Sequence, residues 1–86
     1  MTAAVDGNAL AGDLRASLRA EMTSARGRCR HCGSASVMGE LVVYVSAASP
    51  VARCRHCGSV VFVVHRFREP PQIVWSGFEL DEPPAA

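Results

Sequence analysis

The sequence predicts a small α+β domain in which an N-terminal amphipathic helix precedes an antiparallel sheet of about three strands. Three observations support this fold: a helical periodicity early in the chain, a duplicated cysteine motif, and an apolar β-branched run after each copy of that motif. With 86 residues the chain has room for one domain, and the core of so small a domain is marginally stable by itself. We therefore expect a further source of stability, such as disulfides, a structural metal or a partner subunit.

The helix is predicted over residues 8–22, where apolar residues recur every three or four positions. The apolar stripe consists of Leu10, Ala11, Leu14, Leu18 and Met22. Asp6 or Asn8 is expected to cap the first turn, and Gly27 suits the exit of the chain. We expect this stripe to pack on the sheet. The strands of the sheet are apolar at successive positions, so both faces of the sheet need to be buried. A helix left free for a partner is the alternative.

A seven-residue segment occurs twice: residues 28–34 recur, identical at every position, as residues 53–59. An apolar β-branched run follows each copy, over residues 40–45 and 60–67. A proline pair ends the second run, and residues 72–78 are predicted to return antiparallel to it as a third strand.

The duplicated segment contains two C-x-x-C pairs, which form a candidate metal site. The candidate ligands are Cys29, Cys32, Cys54 and Cys57. Each C-x-x-C turn supplies two soft ligands from a tight bend, and tetrahedral zinc takes four. Gly33 and Gly58 allow the positive φ with which such a turn leaves the metal. We predict a zinc ribbon with two C-x-x-C-G knuckles and one structural Zn²⁺ per chain, with no coordination position left for water or substrate.

Three other uses of the four cysteines compete with a structural zinc site. A pair of disulfides requires an oxidising compartment, which nothing in the sequence indicates. A thioredoxin-like redox pair lies at a helix N-terminus after a βαβ pattern, whereas both pairs here lead into strands. A rubredoxin-like iron site has the same spacing and is the serious competitor. The knuckles, however, are flanked by arginine and the first has no aromatic residue after Gly33, and zinc suits a closed site without redox duty.

Charge is unevenly distributed along the chain. Residues 22–68 contain seven arginines and one acidic residue, whereas residues 69–86 contain four acidic residues and no basic one. A basic centre is a candidate nucleic-acid-binding surface, formed by Arg28, Arg30, Arg53, Arg55, Arg66 and Arg68. The alternative, which we favour, is local compensation of the net negative metal–thiolate cluster. His31 and His56 are expected to be exposed imidazoles beside that cluster, and not ligands.

The first residues show no basic region followed by an apolar stretch, so we expect no export signal and a cytoplasmic protein with reduced thiols. The longest apolar runs, residues 41–45 and 60–64, are far shorter than the roughly 20 residues that span a bilayer. We therefore expect no membrane association.

Four short motifs resemble an uncharacterised family of small zinc-ribbon proteins from high-GC Gram-positive bacteria. They are residues 6–12 (DGNALAG), 21–23 (EMT), 27–29 (GRC) and 51–54 (VARC). The resemblance covers residues 6–78 and implies a zinc ribbon behind an N-terminal helix, but it implies no activity. We accordingly divide the chain into a helix packed on the ribbon (residues 1–27), the zinc ribbon (residues 28–80) and a disordered acidic tail (residues 81–86).

No Ser/His/Asp arrangement, carboxylate pair or glycine-rich phosphate loop accompanies the cysteines, so we expect no enzymatic activity and no small-molecule substrate. The predicted function is that of a non-catalytic binding module, a protein–protein adaptor or regulator with an unidentified protein partner. A nucleic-acid-associated zinc ribbon of the transcription or translation machinery is the alternative, and a rubredoxin-like electron-transfer protein is a further one.

Overall fold

The structure is a computed structural model that describes residues 4–19, 21–45, 48–67 and 69–81. Its strands are β1 (Ala4–Asp6), β2 (Arg26–Cys29), β3 (Ala35–Val37), β4 (Val42–Tyr44), β5 (Val51–Arg53), β6 (Val60–His65), β7 (Gln72–Trp75) and β8 (Phe78–Leu80). A single α-helix, α1 (Ala11–Leu18), and two 3₁₀ turns, Gly7–Leu10 and Met38–Glu40, complete the described part. The structure therefore combines one helix with antiparallel sheets, as the predicted α+β class requires.

The helix is shorter than predicted. Asp6 caps the 3₁₀ turn by accepting a hydrogen bond from the Asn8 N–H, and α1 then runs only to Leu18. It ends because Arg19 adopts the left-handed conformation (φ 58°). Beyond it, the Glu21 carboxylate accepts hydrogen bonds from Thr23, which compete with continued helix. The predicted end at Met22 was wrong, as was the role of Gly27, which lies in β2.

The larger sheet has five antiparallel strands in the order β1-β4-β5-β6-β7. The predicted return of the chain after residues 69–71 is confirmed by the pairing of β6 with β7, in which Val63 lies opposite Val74. That strand ends at Trp75, however, and not at residue 78. The N–H groups of Ser76 and Gly77 both donate to the Val61 carbonyl, and the turn they form directs Phe78 into a different sheet.

A second sheet of three antiparallel strands, in the order β3-β2-β8, was not predicted. Its central strand has the sequence Arg-Gly-Arg-Cys, which carries neither β-branched residues nor an apolar alternation. Pairing with β3 and β8 therefore creates this strand, and local propensity does not. The expectation of about three strands was too low, since the described residues contain eight.

One buried cluster joins the helical segment to both sheets. Leu10, Leu14 and Met22 lie in it with sheet residues such as Val43 and Phe62, and Leu18 packs against its margin. The opposite face of the larger sheet is only partly covered, since Tyr44 is 39% and Val74 43% exposed. The helical segment therefore covers one face of the larger sheet, and the opposite face keeps partly exposed apolar side chains.

Of the acidic tail, only Asp81 is described; residues 82–86 lie outside the described part of the chain, as does Arg68. Across the ranges that are described, no helix combines the length and the apolar character needed to cross a bilayer.

Candidate metal centre

The two copies of the repeated segment form two hairpin turns with the same hydrogen bonds. We call residues 28–34 the first knuckle and residues 53–59 the second. In the first, the Cys29 N–H donates to the Ser34 carbonyl over 2.9 Å and the Gly33 N–H to the Cys29 carbonyl over 2.8 Å. The second repeats both bonds at 2.9 and 3.0 Å. Gly33 (φ 80°) and Gly58 (φ 78°) take the positive φ predicted for them.

The first arginine of each knuckle closes its own turn. Arg28 Nη1 donates to the Gly33 carbonyl over 3.3 Å, and Arg53 Nη1 donates to the Gly58 carbonyl over 2.8 Å. Arg53 also lies over the Tyr44 ring, with its Cζ 5.5 Å from the centroid. These two arginines therefore have a structural part in the turns that carry the cysteines.

The knuckles bring the four cysteine sulfurs together. The Sγ atoms of Cys29, Cys32, Cys54 and Cys57 all lie within 4.8 Å of one another. Two of these distances join the two knuckles: Cys29 Sγ to Cys57 Sγ and Cys32 Sγ to Cys54 Sγ, each 3.7 Å. A tetrahedral zinc site with Zn–S bonds of about 2.3 Å has sulfurs about 3.8 Å apart. The four side chains thus fit a metal ion bound by one ligand from each cysteine.

The four sulfurs differ in their surroundings. Cys29 and Cys54 are buried, whereas Cys32 and Cys57 are exposed. Burial raises the pKa of the Cys29 thiol to about 11. Hydrogen bonds from the side chain and backbone of Ser59 lower the pKa of Cys57 to about 6, and those of Ser34 lower the pKa of Cys32. Cys32 and Cys57 therefore favour the thiolate form that a metal requires, whereas burial disfavours the thiolate of Cys29.

Ser34 and Ser59 contact the cysteines of the candidate site, and neither was predicted from the sequence. Ser34 Oγ lies 3.4 Å from Cys32 Sγ, and Ser59 holds the corresponding position in the second knuckle. The signal was present in the sequence, because the identity between the two copies extends beyond the glycine to the serine. Such outer groups orient metal ligands and tune their basicity.

The remaining candidate arginines pair with carboxylates of the same chain. Arg55 Nη1 lies 3.0 Å from Glu40, and Arg30 Nε 3.9 Å from Glu79. Arg66 donates two hydrogen bonds to Asp13 of α1, at 3.1 and 2.7 Å, which raises the pKa of Arg66. The side chains of Arg30, Arg55 and Arg66 therefore contact carboxylates of the same chain. The compensation of the metal–thiolate cluster by arginine stays a prediction.

The histidines of the knuckles are both exposed. The His31 ring lies against Gly77, where an added Cβ would come within 2.5 Å of Nε2. In the second knuckle the His56 backbone N–H lies 3.4 Å from Cys54 Sγ, in hydrogen-bonding contact. Neither residue belongs to the group of side chains close enough to share a metal with the cysteines.

The glycine-containing segment at residues 6–12, which zinc binding does not explain, has a structural role. Asp6 caps the 3₁₀ turn, and Leu10 is fully buried in the core. A Cβ at Gly7 would lie 1.9 Å from the Met38 carbonyl oxygen, so only glycine permits the close approach of these two turns. The segment therefore fixes the entry of the helical region against the Met38–Glu40 turn.

Comparison with known proteins gives one assignment. A family model described as "Family of unknown function (DUF6510)" matches residues 1–81. The chain belongs to this family. Membership in DUF6510 confirms the resemblance to an uncharacterised family. The family model covers residues 1–81, slightly more of the chain than the resemblance at residues 6–78. Neither the curated proteins nor the solved structures contain a match to the chain.

Proposed function

We propose that this protein is a non-catalytic binding module folded around one Zn²⁺ ion on Cys29, Cys32, Cys54 and Cys57. The observation that carries the proposal is the clustering of the four Sγ atoms within 4.8 Å of one another. Four protein ligands complete the coordination of zinc, so the ion in such a site supports folding and has no position for a reacting water. The DUF6510 family carries no assigned function, so this proposal rests on the site.

Cobalt substitution tests whether the coordination is closed. Tetrahedral Co²⁺ with four thiolates has strong absorption bands that change when an additional ligand binds. We expect the bands of a tetrahedral four-thiolate site, unchanged by added azide or imidazole. Bands that shift with either additive would indicate an open position and would contradict a purely structural ion.

Iron is the competing metal, because the spacing of the cysteines suits a rubredoxin-like centre as well. Zinc is favoured since a closed site that supports folding needs no redox chemistry. A red protein as isolated from cells grown with both metals, containing iron in place of zinc, would support the electron-transfer alternative.

For the binding partner we propose another protein, which makes the module an adaptor or regulator in the cytoplasm. Six large apolar side chains of the described residues are more than a third exposed: Val5, Tyr44, Val45, Phe67, Val74 and Trp75. Tyr44 and Val74 lie on the same face of the larger sheet, in one row with the half-buried Val51 and Val63, and a contiguous exposed apolar patch is typical of surfaces that contact proteins. Free thiols at a metal site also require a reducing compartment.

Nucleic-acid binding is the second candidate, favoured only by the seven arginines of residues 22–68. The ion pairs of Arg55 and Arg66 count against it, because a phosphate would have to displace a carboxylate. Titration of the zinc-loaded protein with labelled single-stranded RNA at several salt concentrations tests this candidate. We expect no complex at physiological salt. A complex that weakens steeply with salt and is lost in the Arg30→Ala/Arg55→Ala variant would overturn the ranking.

A further inference from the structure

Strand β7 is an edge of the larger sheet with an unusual composition. It contains Gln72, Ile73, Val74 and Trp75, and within the described ranges no strand pairs with its outer side. Alternate residues of an edge strand direct their N–H and C=O groups away from the sheet, where they are available to another chain. Val74 and Trp75 are 43% and 39% exposed, so the side chains at this edge are also accessible.

The other sheet edges have features that discourage pairing, which β7 lacks. The opposite edge of the same sheet, β1, ends in Asp6, and the edge strand β8 has Glu79 at its centre. The remaining edge, β3, is three residues long and consists of Ala, Ser and Val. Charged residues and short strands are the usual means by which proteins prevent edge-to-edge association. Strand β7 has four residues, no charge and three large apolar side chains.

We propose that β7 pairs with β7 of a second copy of the chain, antiparallel and about a two-fold axis, so that the two five-stranded sheets become continuous. Symmetric pairing places Val74 opposite Val74, and Ile73 opposite Trp75 of the second copy. The register centred on Ile73 is less favourable, because it places Pro71, which has no N–H to donate, opposite the strand residue Trp75 of the second copy. Residues directly opposite share a face in an antiparallel pair, so apolar side chains meet apolar side chains.

The absence of charged residues in β7 favours a second copy of the chain as the partner of this edge. Symmetric antiparallel pairing brings identical segments together, so any charge near the axis would meet a like charge. The β7 strand carries none, whereas the same pairing through β8 would place Glu79 opposite Glu79. The edge that remains open is therefore the one that tolerates its own copy.

The space beside β7 can also receive the tryptophan of the second copy. A groove of about 410 Å³ lies between the end of α1 and β7, lined by residues that include Leu18, Pro71, Ile73 and Trp75. In the proposed register, Trp75 of the second copy lies opposite Ile73, at this groove. Trp75 already packs against Phe62 of the neighbouring strand, with ring centroids 5.2 Å apart, so Trp75 of the second copy meets Ile73 beside an existing aromatic pair.

The experiment is a dilution series of the zinc-loaded full chain, followed by sedimentation velocity and by the fluorescence of Trp75, the single tryptophan of the sequence. We expect a dimer at high concentration that dissociates on dilution, with a shift of the emission to longer wavelength as the indole becomes exposed. Val74→Lys should abolish the dimer, because two lysines would face each other at the axis. The matched control is Val5→Lys on β1, which alters a similarly exposed valine at the opposite edge and should leave the dimer unchanged.

A second measurement does not depend on any variant. Amide exchange of residues 72–75 in the unmodified protein should be slower at high than at low concentration, while exchange in β1 should not change. A monomer at every concentration, a dimer that survives Val74→Lys, or unchanged exchange in β7 would each overturn the proposal. These outcomes are independent of which metal the cysteines bind, so they leave the proposed metal site unaffected.

Discussion

Ser34 and Ser59 carry the groups that determine how readily two of the four sulfurs take up a proton. Their hydrogen bonds lower the pKa of Cys32 and, to about 6, that of Cys57. Protons and metal compete for the same sulfurs, so a lowered thiol pKa extends metal binding to lower pH. The serines therefore contribute to metal retention without touching the metal.

This role predicts how acid releases the metal. A thiol pKa that is lower in the fold contributes stability above the ordinary thiol pKa, and this contribution is lost as the pH falls through the folded value, about 6 for Cys57. Ser59→Ala removes one source of the shift, so protons compete at higher pH and the midpoint of metal release should rise. The measurement is zinc release against pH, reported by a chromogenic chelator. Ser36→Ala, in β3 and outside the knuckles, should leave the midpoint unchanged, and an unchanged midpoint in Ser59→Ala would contradict the role.

Single residues also mark the limit of what the sequence could predict at the site. The ligands were identifiable because their chemistry depends on local spacing within one turn. The carboxylate partners of the arginines were not, because Glu79 lies in a strand that only long-range pairing creates and Asp13 lies 53 positions from Arg66. Ser34 and Ser59 were predictable in principle. The identity between the two copies of the repeat continues past the glycine to the serine, which indicates a shared role for the serines.

The helical segment is the element that covers the core face of the larger sheet. Leu14 is 1% exposed within the core cluster, whereas Leu18 is only partly buried. Full burial of a leucine contributes roughly 1.5–3 kcal/mol, so much of the stability of this small domain depends on a helix of two turns.

We predict a graded response to truncation of these leucines. Leu14→Ala should lower the free energy of unfolding by about 2–5 kcal/mol, since the loss includes the cavity left in a fully buried position. Leu18→Ala should lower the free energy of unfolding clearly less, because Leu18 is only partly buried. Denaturant unfolding of both zinc-loaded variants is the measurement. A chain that begins at residue 23 should unfold without cooperativity, and equal stability of that chain and the full one would show that the helical segment is dispensable.

The Asp13–Arg66 pair joins α1 to the segment after β6. It has two hydrogen bonds, and the Asp13 side chain is only 15% exposed. A double-mutant cycle with Asp13→Asn and Arg66→Gln should give a coupling of about 1 kcal/mol. The Glu40–Arg55 pair, 49% exposed on both sides, is the matched comparison and should give a smaller value. Equal coupling energies for the two pairs would mean that the Asp13–Arg66 pair does not position α1.

At the scale of the whole molecule, the fold class was predictable and the number and partnering of strands were not. The spacing of apolar residues and the residue composition predicted the start of the helical region, the strands β4 and β6, and the antiparallel return of β7. They did not locate β1, β2, β3, β5 or β8, each of three or four residues, because such short strands are defined by their partners. The end of the helix was missed since a left-handed arginine, and not a glycine, ends it.

The central claim is that one zinc ion on the four cysteines holds this domain together. Its most direct test is native mass spectrometry of the purified chain, followed by thermal unfolding before and after removal of the metal with a chelator. The account predicts one zinc per chain and loss of the cooperative transition on chelation, because binding to four thiolates supplies about 10–16 kcal/mol in small structural sites. A metal-free chain that still unfolds cooperatively at the same temperature would contradict it.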